Sequence, residues 1–152
     1  MCLCLGPKGS GKTLLLKRLQ NKESIDAMSS TVPTVGTNLV RLRLENQKEL
    51  LIREVGGAMA PIWASYYSEK TKIMYVVDAS NLCQIAAAGV LLYSILAEPN
   101  LQKSKMRNEA LLMLQLNRLK KEILQEITVV EASAMTGDGT GEILKWLQGT
   151  KA

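Results

Sequence analysis

Apolar and polar positions change their period several times along this chain, and the changes predict a succession of strands and helices. Residues 2–5 (Cys-Leu-Cys-Leu) form a short apolar run that ends in glycine and read as a buried strand. Residues 12–21 place Leu14, Leu15 and Leu19 among basic residues at helical spacing. Residues 39–45 alternate with period two: Val40, Leu42 and Leu44 point one way, Arg41 and Arg43 the other. After the polar turn Asn46-Gln47-Lys48, a second strand from Glu49 to Glu54 is expected to pair back as an antiparallel hairpin. Residues 72–78 read as a central strand, 83–97 as a buried helix, 127–131 as a late strand and 141–148 as a closing helix. Strands separated by helices predict an α/β fold, a mostly parallel sheet flanked by helices with one antiparallel hairpin.

Length and composition narrow the chemistry. The 152 residues correspond to a single domain, 1–152, large enough for a full core. There is no histidine, which excludes a Ser-His-Asp triad, a Cys-His pair and a histidine general base. Three cysteines without histidine cannot complete a four-coordinate structural zinc site. The odd cysteine count and the lack of a visible secretory signal predict a reducing, cytoplasmic setting with free thiols. Cys2 and Cys4 alternate on the first strand, face one side, and read as small buried hydrophobes. The net charge of +5 is spread along the chain, and none of the six aromatics lies in a basic run, so no nucleic-acid partner is expected. The longest nearly apolar stretch, 85–97, is too short to span a bilayer.

The sharpest signal is Gly6-Pro7-Lys8-Gly9-Ser10-Gly11-Lys12-Thr13, which fits G-x-x-x-x-G-K-[ST] at every fixed position. It follows an apolar strand and opens a helix, the context that its mechanism requires. Glycines let backbone N–H groups turn inward around phosphates, and the helix N-terminus adds partial positive charge. Lys12 is the candidate for the β- and γ-phosphates, and the Thr13 hydroxyl for Mg²⁺.

Downstream residues resemble the ADP-ribosylation factor-like branch of small GTPases. Pro33-Thr34-Val35-Gly36-Thr37-Asn38 looks like that family's first switch, and Arg53-Glu54-Val55-Gly56-Gly57-Ala58-Met59 like its W-D-x-G-G-Q second switch. Ala60-Pro61-Ile62-Trp63 with Tyr66-Tyr67, Val76-Val77-Asp78-Ala79-Ser80 and Glu131-Ala132-Ser133-Ala134 are similar to further family motifs. The likeness covers roughly residues 1–98 well and 127–149 less closely. It implies the phosphate-loop NTPase fold of a small GTPase and a molecular switch that binds GTP or GDP with Mg²⁺. By the same resemblance, Thr34 supplies a hydroxyl to Mg²⁺ and an amide to the γ-phosphate, and the Gly57 N–H approaches that phosphate. Glu54 stands where the family has an Asp that holds the ion's water shell. Release of the γ-phosphate then frees both loops.

The pattern also departs from the family. Ala58 occupies the position of the water-orienting Gln, and a methyl group cannot position a water. Very slow intrinsic hydrolysis is therefore expected, with no catalytic residue assigned. The guanine-reading N-K-x-D motif has only Asn117-Arg118-Leu119-Lys120 as a counterpart, with Lys120 at the Asp position. The candidate base contacts are thus Asn117, Arg118, and the Ser133 and Ala134 backbone N–H groups. Residues 109–126 are mostly strong helix formers, with Leu112, Leu116, Leu119 and Ile123 on one face. A single amphipathic helix is favoured there over a fifth strand. A strand at Asn117 would leave only Arg118 to Glu126 for a parallel crossover, which normally needs a dozen residues, as though the fourth helix were missing.

Two other readings stay open: a nucleotide-unselective or nucleotide-free pseudo-GTPase acting as a protein-interaction module, and a small-molecule kinase, for which no arginine-rich lid is visible. Effectors and regulatory proteins are the partners that the resemblance implies, reading the switches of a monomer. Trp63, Tyr66 and Tyr67 are candidate anchors, although Trp63 fits equally well as core. The start Met-Cys carries no myristoylation signal, and no intrinsic lipid anchor is visible.

Overall fold

A computed structural model describes residues 1–21, 32–44, 48–68, 71–99, 107–109 and 126–149. Strand β1 (Cys2–Leu5) leads into helix α1 (Lys12–Gln20), then the hairpin β2 (Thr37–Arg43) and β3 (Glu49–Val55). A long 3-10 segment (Gly57–Tyr66) precedes β4 (Lys72–Tyr75) and α2 (Leu82–Leu96). Strands β5 (Arg107–Glu109) and β6 (Glu126–Thr128) and helix α3 (Thr140–Gln148) complete the described elements. The strands form one sheet in the order β2-β3-β1-β4-β5-β6, in which only the β2–β3 pair is antiparallel.

β1 lies between β3 and β4, and all four of its side chains are buried, which explains its unbroken apolar run. Alternation divides them between two cores. Leu3 and Leu5 join Trp63, Ile73, Tyr75, Leu92 and Ile95 on the α2 side. Cys2 and Cys4 join Leu16, Ile52, Met74, Trp146 and Leu147 on the α1 and α3 side, as buried thiols not joined in a disulfide. In the hairpin, Val40 pairs with Ile52 and Leu42 with Leu50, while Arg41 and Arg43 are exposed, as the period-two pattern predicts. The closing helix is held from β4: Lys72 Nζ lies 5.4 Å from the Trp146 ring centroid and 3.4 Å from the Trp146 and Leu147 carbonyl oxygens.

Several expectations change. β4 ends at Tyr75 rather than residue 78, because the chain turns away over the phosphate loop after one last bond from Val76 N–H to Leu5 O (2.8 Å). α2 buries Ala88, Leu92, Ile95 and Leu96, but Leu82, Val90 and Tyr93 are 72%, 71% and 61% exposed. It is therefore a one-faced helix, not a buried one. A fifth strand does exist, at Arg107–Glu109, upstream of the stretch read as helix, and it pairs parallel with β4 and β6. Residues 110–125 span the β5–β6 connection, enough for a parallel crossover, so the expected shortage of chain disappears. The helix read over 109–126 begins on β5 and otherwise lies outside the described residues, as do Asn117 and Arg118.

Candidate functional site

The loop between β1 and α1 gathers the site. Gly6, Gly9 and Gly11 all have positive φ, at 147°, 78° and 81°. At Gly6 a Cβ would collide with the Val76 carbonyl oxygen and lie 3.0 Å from Ser10 Oγ, so this turn fits only glycine. α1 then starts on Gly11 with no side-chain cap, leaving its first N–H groups turned into the loop. Lys12 is 5% exposed, and its Nζ donates to Gly6 O (2.8 Å), Pro7 O (2.6 Å) and Ser10 Oγ (3.4 Å). Burial lowers its pKa, while Cys4 and Glu54 nearby pull it back up.

The two switch-like segments meet at this loop. Thr13 Oγ1 donates to Glu54 Oε1 and lies 3.1 Å from Thr34 Oγ1, which itself donates to Glu54 Oε1 at 3.2 Å. Glu54 is fully buried, and its second oxygen, Oε2, has no hydrogen-bond partner. A buried carboxylate oxygen left without a donor is costly, and a hard cation satisfies it. Two hydroxyls and one carboxylate are an oxygen donor set of the kind Mg²⁺ takes beside phosphates, so these residues fit the ion. The extra methylene of Glu54, relative to an Asp, still lets one oxygen reach both threonines.

Gly56 and Gly57 close the arrangement. Gly56 N–H donates to Gly36 O (2.9 Å), and a Cβ at Gly56 would strike the Thr34 carbonyl oxygen, so the two segments touch through backbone. A Cβ at Gly57 would lie 2.5 Å from Pro7 C and 2.7 Å from Lys8 Cα, and closer still to the Lys8 nitrogen. The second segment thus rests directly on the phosphate loop. Trp63 anchors it from below: 2% exposed, it donates from Nε1 to Gly56 O (3.2 Å) and stacks edge-on to Tyr75 at 6.3 Å. Of its two readings, the core one holds. Tyr66 and Tyr67 are half-buried against the same core, and Arg53 lies 5.7 Å over the Tyr66 ring. Ala58 is exposed and presents only its methyl group at this seam.

Beside the loop a cavity of about 730 Å³ opens between β4, α1, α3 and the segment that follows β6, lined in part by Gly9, Asp78, Glu131, Ser133 and Ala134. Its position suits a base and sugar next to phosphates held by the loop. Ser133 N–H, however, donates to Asp138 O (3.0 Å), and Ser133 Oγ accepts from Thr136 N (3.2 Å). The serine amide and hydroxyl are thus both engaged in shaping this loop. Two residues near the loop were not foreseen. Cys4 lies close enough to couple electrostatically to Lys12 and Glu54, and its thiol is pushed well up by burial. Gln84 brings its amide beside Gly9, with Oε1 buried and unpartnered. Neither carries a spacing signal; both arrive through tertiary packing.

A parallel sheet with a phosphate loop at the C-terminal end of its first strand, and two glycine-bearing segments closing on that loop, defines the small-GTPase class of phosphate-loop proteins. The profile of the ADP-ribosylation factor family matches residues 1–151, and the chain belongs to that family. It is 37% identical to ADP-ribosylation factor-like protein 16 of Homo sapiens, over 99% of this chain and 85% of that protein. It is 32% identical to ADP-ribosylation factor-like protein 1 of Saccharomyces cerevisiae, over 95% of this chain and 84% of that protein. Among solved structures, the Arl6 small GTPase of Trypanosoma brucei, bound to the nucleotide analogue GppNp, superposes with a TM-score of 0.73 at 16% identity, covering 99% of this chain and 96% of that one. The mammalian SRP receptor gives the same score at 17% identity, with 99% of each chain covered. Family membership supports a guanine-nucleotide-binding switch. Among the described residues, no helix is long and apolar enough to cross a membrane.

Proposed function

We propose that the chain is one GTPase-like domain that binds GTP and GDP with Mg²⁺, changes the order of its two switch segments with the γ-phosphate, and hydrolyses GTP very slowly unaided. The observation that carries this reading is the convergence of Thr13, Thr34 and Glu54 behind the phosphate loop, with one buried Glu54 oxygen lacking a donor. These three groups hold the ion, which when bound neutralises phosphate charge. Residues 6–13 wrap the phosphates, and Lys12 exchanges its contacts to Gly6 O and Pro7 O for phosphate oxygens. The Thr34 and Gly57 amides contact the γ-phosphate, whose loss lets the Gly56–Gly36 bond and the Gly57–Lys8 contact open. Ala134 offers its amide to the base, so guanine selectivity is weaker than an Asp carboxylate gives. Ala58 leaves the attacking water without an orienting amide. Effectors that read the closed switches are the partners of this cytoplasmic monomer.

Titrating the purified protein with fluorescent GTP, GDP and ATP analogues, with and without Mg²⁺, tests the reading. Mg²⁺-dependent binding that is abolished by Lys12→Ala is expected. Binding of no nucleotide, with partner capture indifferent to triphosphate, would replace the switch by a pure interaction module.

A further inference from the structure

Lys8 is the one charged residue between Gly6 and Gly11, at a position that the phosphate-loop motif leaves free. Its side chain is exposed, whereas that of Lys12 is buried against the loop's own carbonyl oxygens. The Lys8 backbone is also the surface on which Gly57 rests, with the position of a Gly57 Cβ only 2.7 Å from Lys8 Cα. The Lys8 side chain therefore leaves the loop at its seam with the second switch segment. Ala58, next to Gly57 in the chain, is exposed and without a polar end. An anion touched by the Gly57 amide has a flexible ammonium group within reach and no side-chain amide opposite it. Glu54 is fully buried and engaged with Thr13 and Thr34.

We propose that Lys8 supplies a second positive charge to the terminal phosphate, so that the protein selects nucleoside triphosphate over diphosphate and, with Ala58 beside it, retains the triphosphate. This rests on the nucleotide-switch reading above and adds a selectivity determinant to it. A diphosphate ends short of the seam, so the cation acts chiefly on the triphosphate. Because the ammonium is solvent-exposed, its effect is modest and screened by salt: about threefold to tenfold in affinity.

The test compares Lys8→Met, which keeps the stem and removes the charge, with Lys8→Arg, which keeps the charge. Dissociation constants for a non-hydrolysable GTP analogue and for GDP are measured at low and high salt, with thermal melts to establish equal folding. The expected result is a loss for the triphosphate analogue in Lys8→Met that exceeds any loss for GDP by roughly threefold to tenfold, retention in Lys8→Arg, and a gap that narrows with salt. Equal losses for both nucleotides, or no loss for either, overturn the role of Lys8. If the wild type and Lys8→Met then bind alike while Lys12→Ala loses binding, the switch reading stands and only this inference falls. If the wild type binds neither nucleotide, both fall.

Discussion

Replacing Gly57 by alanine probes the contact that joins the second switch segment to the phosphate loop. The new Cβ would stand 2.5 Å from Pro7 C and 2.7 Å from Lys8 Cα, each roughly an ångström short of the 3.4–4 Å of ordinary contact. Both obstacles are backbone, so no side chain can swing aside and the two segments must separate. Overpacking of this kind costs about 1–3 kcal/mol, which for a chain of this size lowers the melting temperature by roughly 2–12 °C. The functional effect is more selective than the stability effect. Displacing the Gly57 amide removes one charge-assisted hydrogen bond to the terminal phosphate, worth about 1.5–3 kcal/mol, or roughly a tenfold to hundredfold loss of triphosphate affinity. GDP affinity is unchanged, because GDP has no phosphate at that position. Isothermal titration with GDP and a non-hydrolysable GTP analogue measures both. Parallel losses for the two nucleotides, or an unchanged triphosphate affinity, would refute the geometry.

Three further outcomes follow from the same site. Ala58→Gln, at an exposed position, changes stability by less than about 0.5 kcal/mol and raises single-turnover GTP hydrolysis by at least about tenfold; an unchanged rate would mean that the missing amide is not the limiting group. Glu54→Gln preserves volume while removing the buried charge, so nucleotide affinity loses its dependence on Mg²⁺ in titrations with and without chelator. Alkaline stability falls, with the sign set by which state holds the proton. Burial raises Cys4, Tyr67 and Tyr75 above their ordinary values of 9.0 and 10.0, so above these values the unfolded chain loses protons that the folded chain keeps. Each costs about 1.4 kcal/mol per pH unit in that window, whereas Lys12, lowered from 10.5, contributes in the opposite sense. Denaturant melts on both sides of pH ~10 should show the net loss from three groups against one.

What could be read from the sequence depended on whether local chemistry or distant packing decided each feature. The phosphate loop was legible because three glycines must adopt positive φ and the lysine must follow them, constraints that act within eight consecutive residues. The hairpin was legible because one buried face imposes period two on Val40, Leu42 and Ile52. β5 was not, because Arg-Asn-Glu has no strand-like composition and takes its place from pairing with β4 and β6. α2 misled in the other direction: fifteen residues without a charge read as buried all round, yet only one face meets the core. Thr13 could be named from the motif, and Thr34 and Glu54 from the family resemblance, but the unpartnered Glu54 oxygen could not. Nor could the commitment of the Ser133 amide to Asp138, which depends on how the loop before α3 folds back.

The claim that these segments form a nucleotide-driven switch is tested most directly by amide hydrogen exchange across 32–38 and 55–60. The protein is loaded in turn with Mg²⁺–GDP and with Mg²⁺ and a non-hydrolysable GTP analogue. The account predicts slow exchange at Thr34, Gly56 and Gly57 with the triphosphate and fast exchange with the diphosphate, while β1 and α1 remain protected in both. Identical exchange in the two loaded states would contradict it.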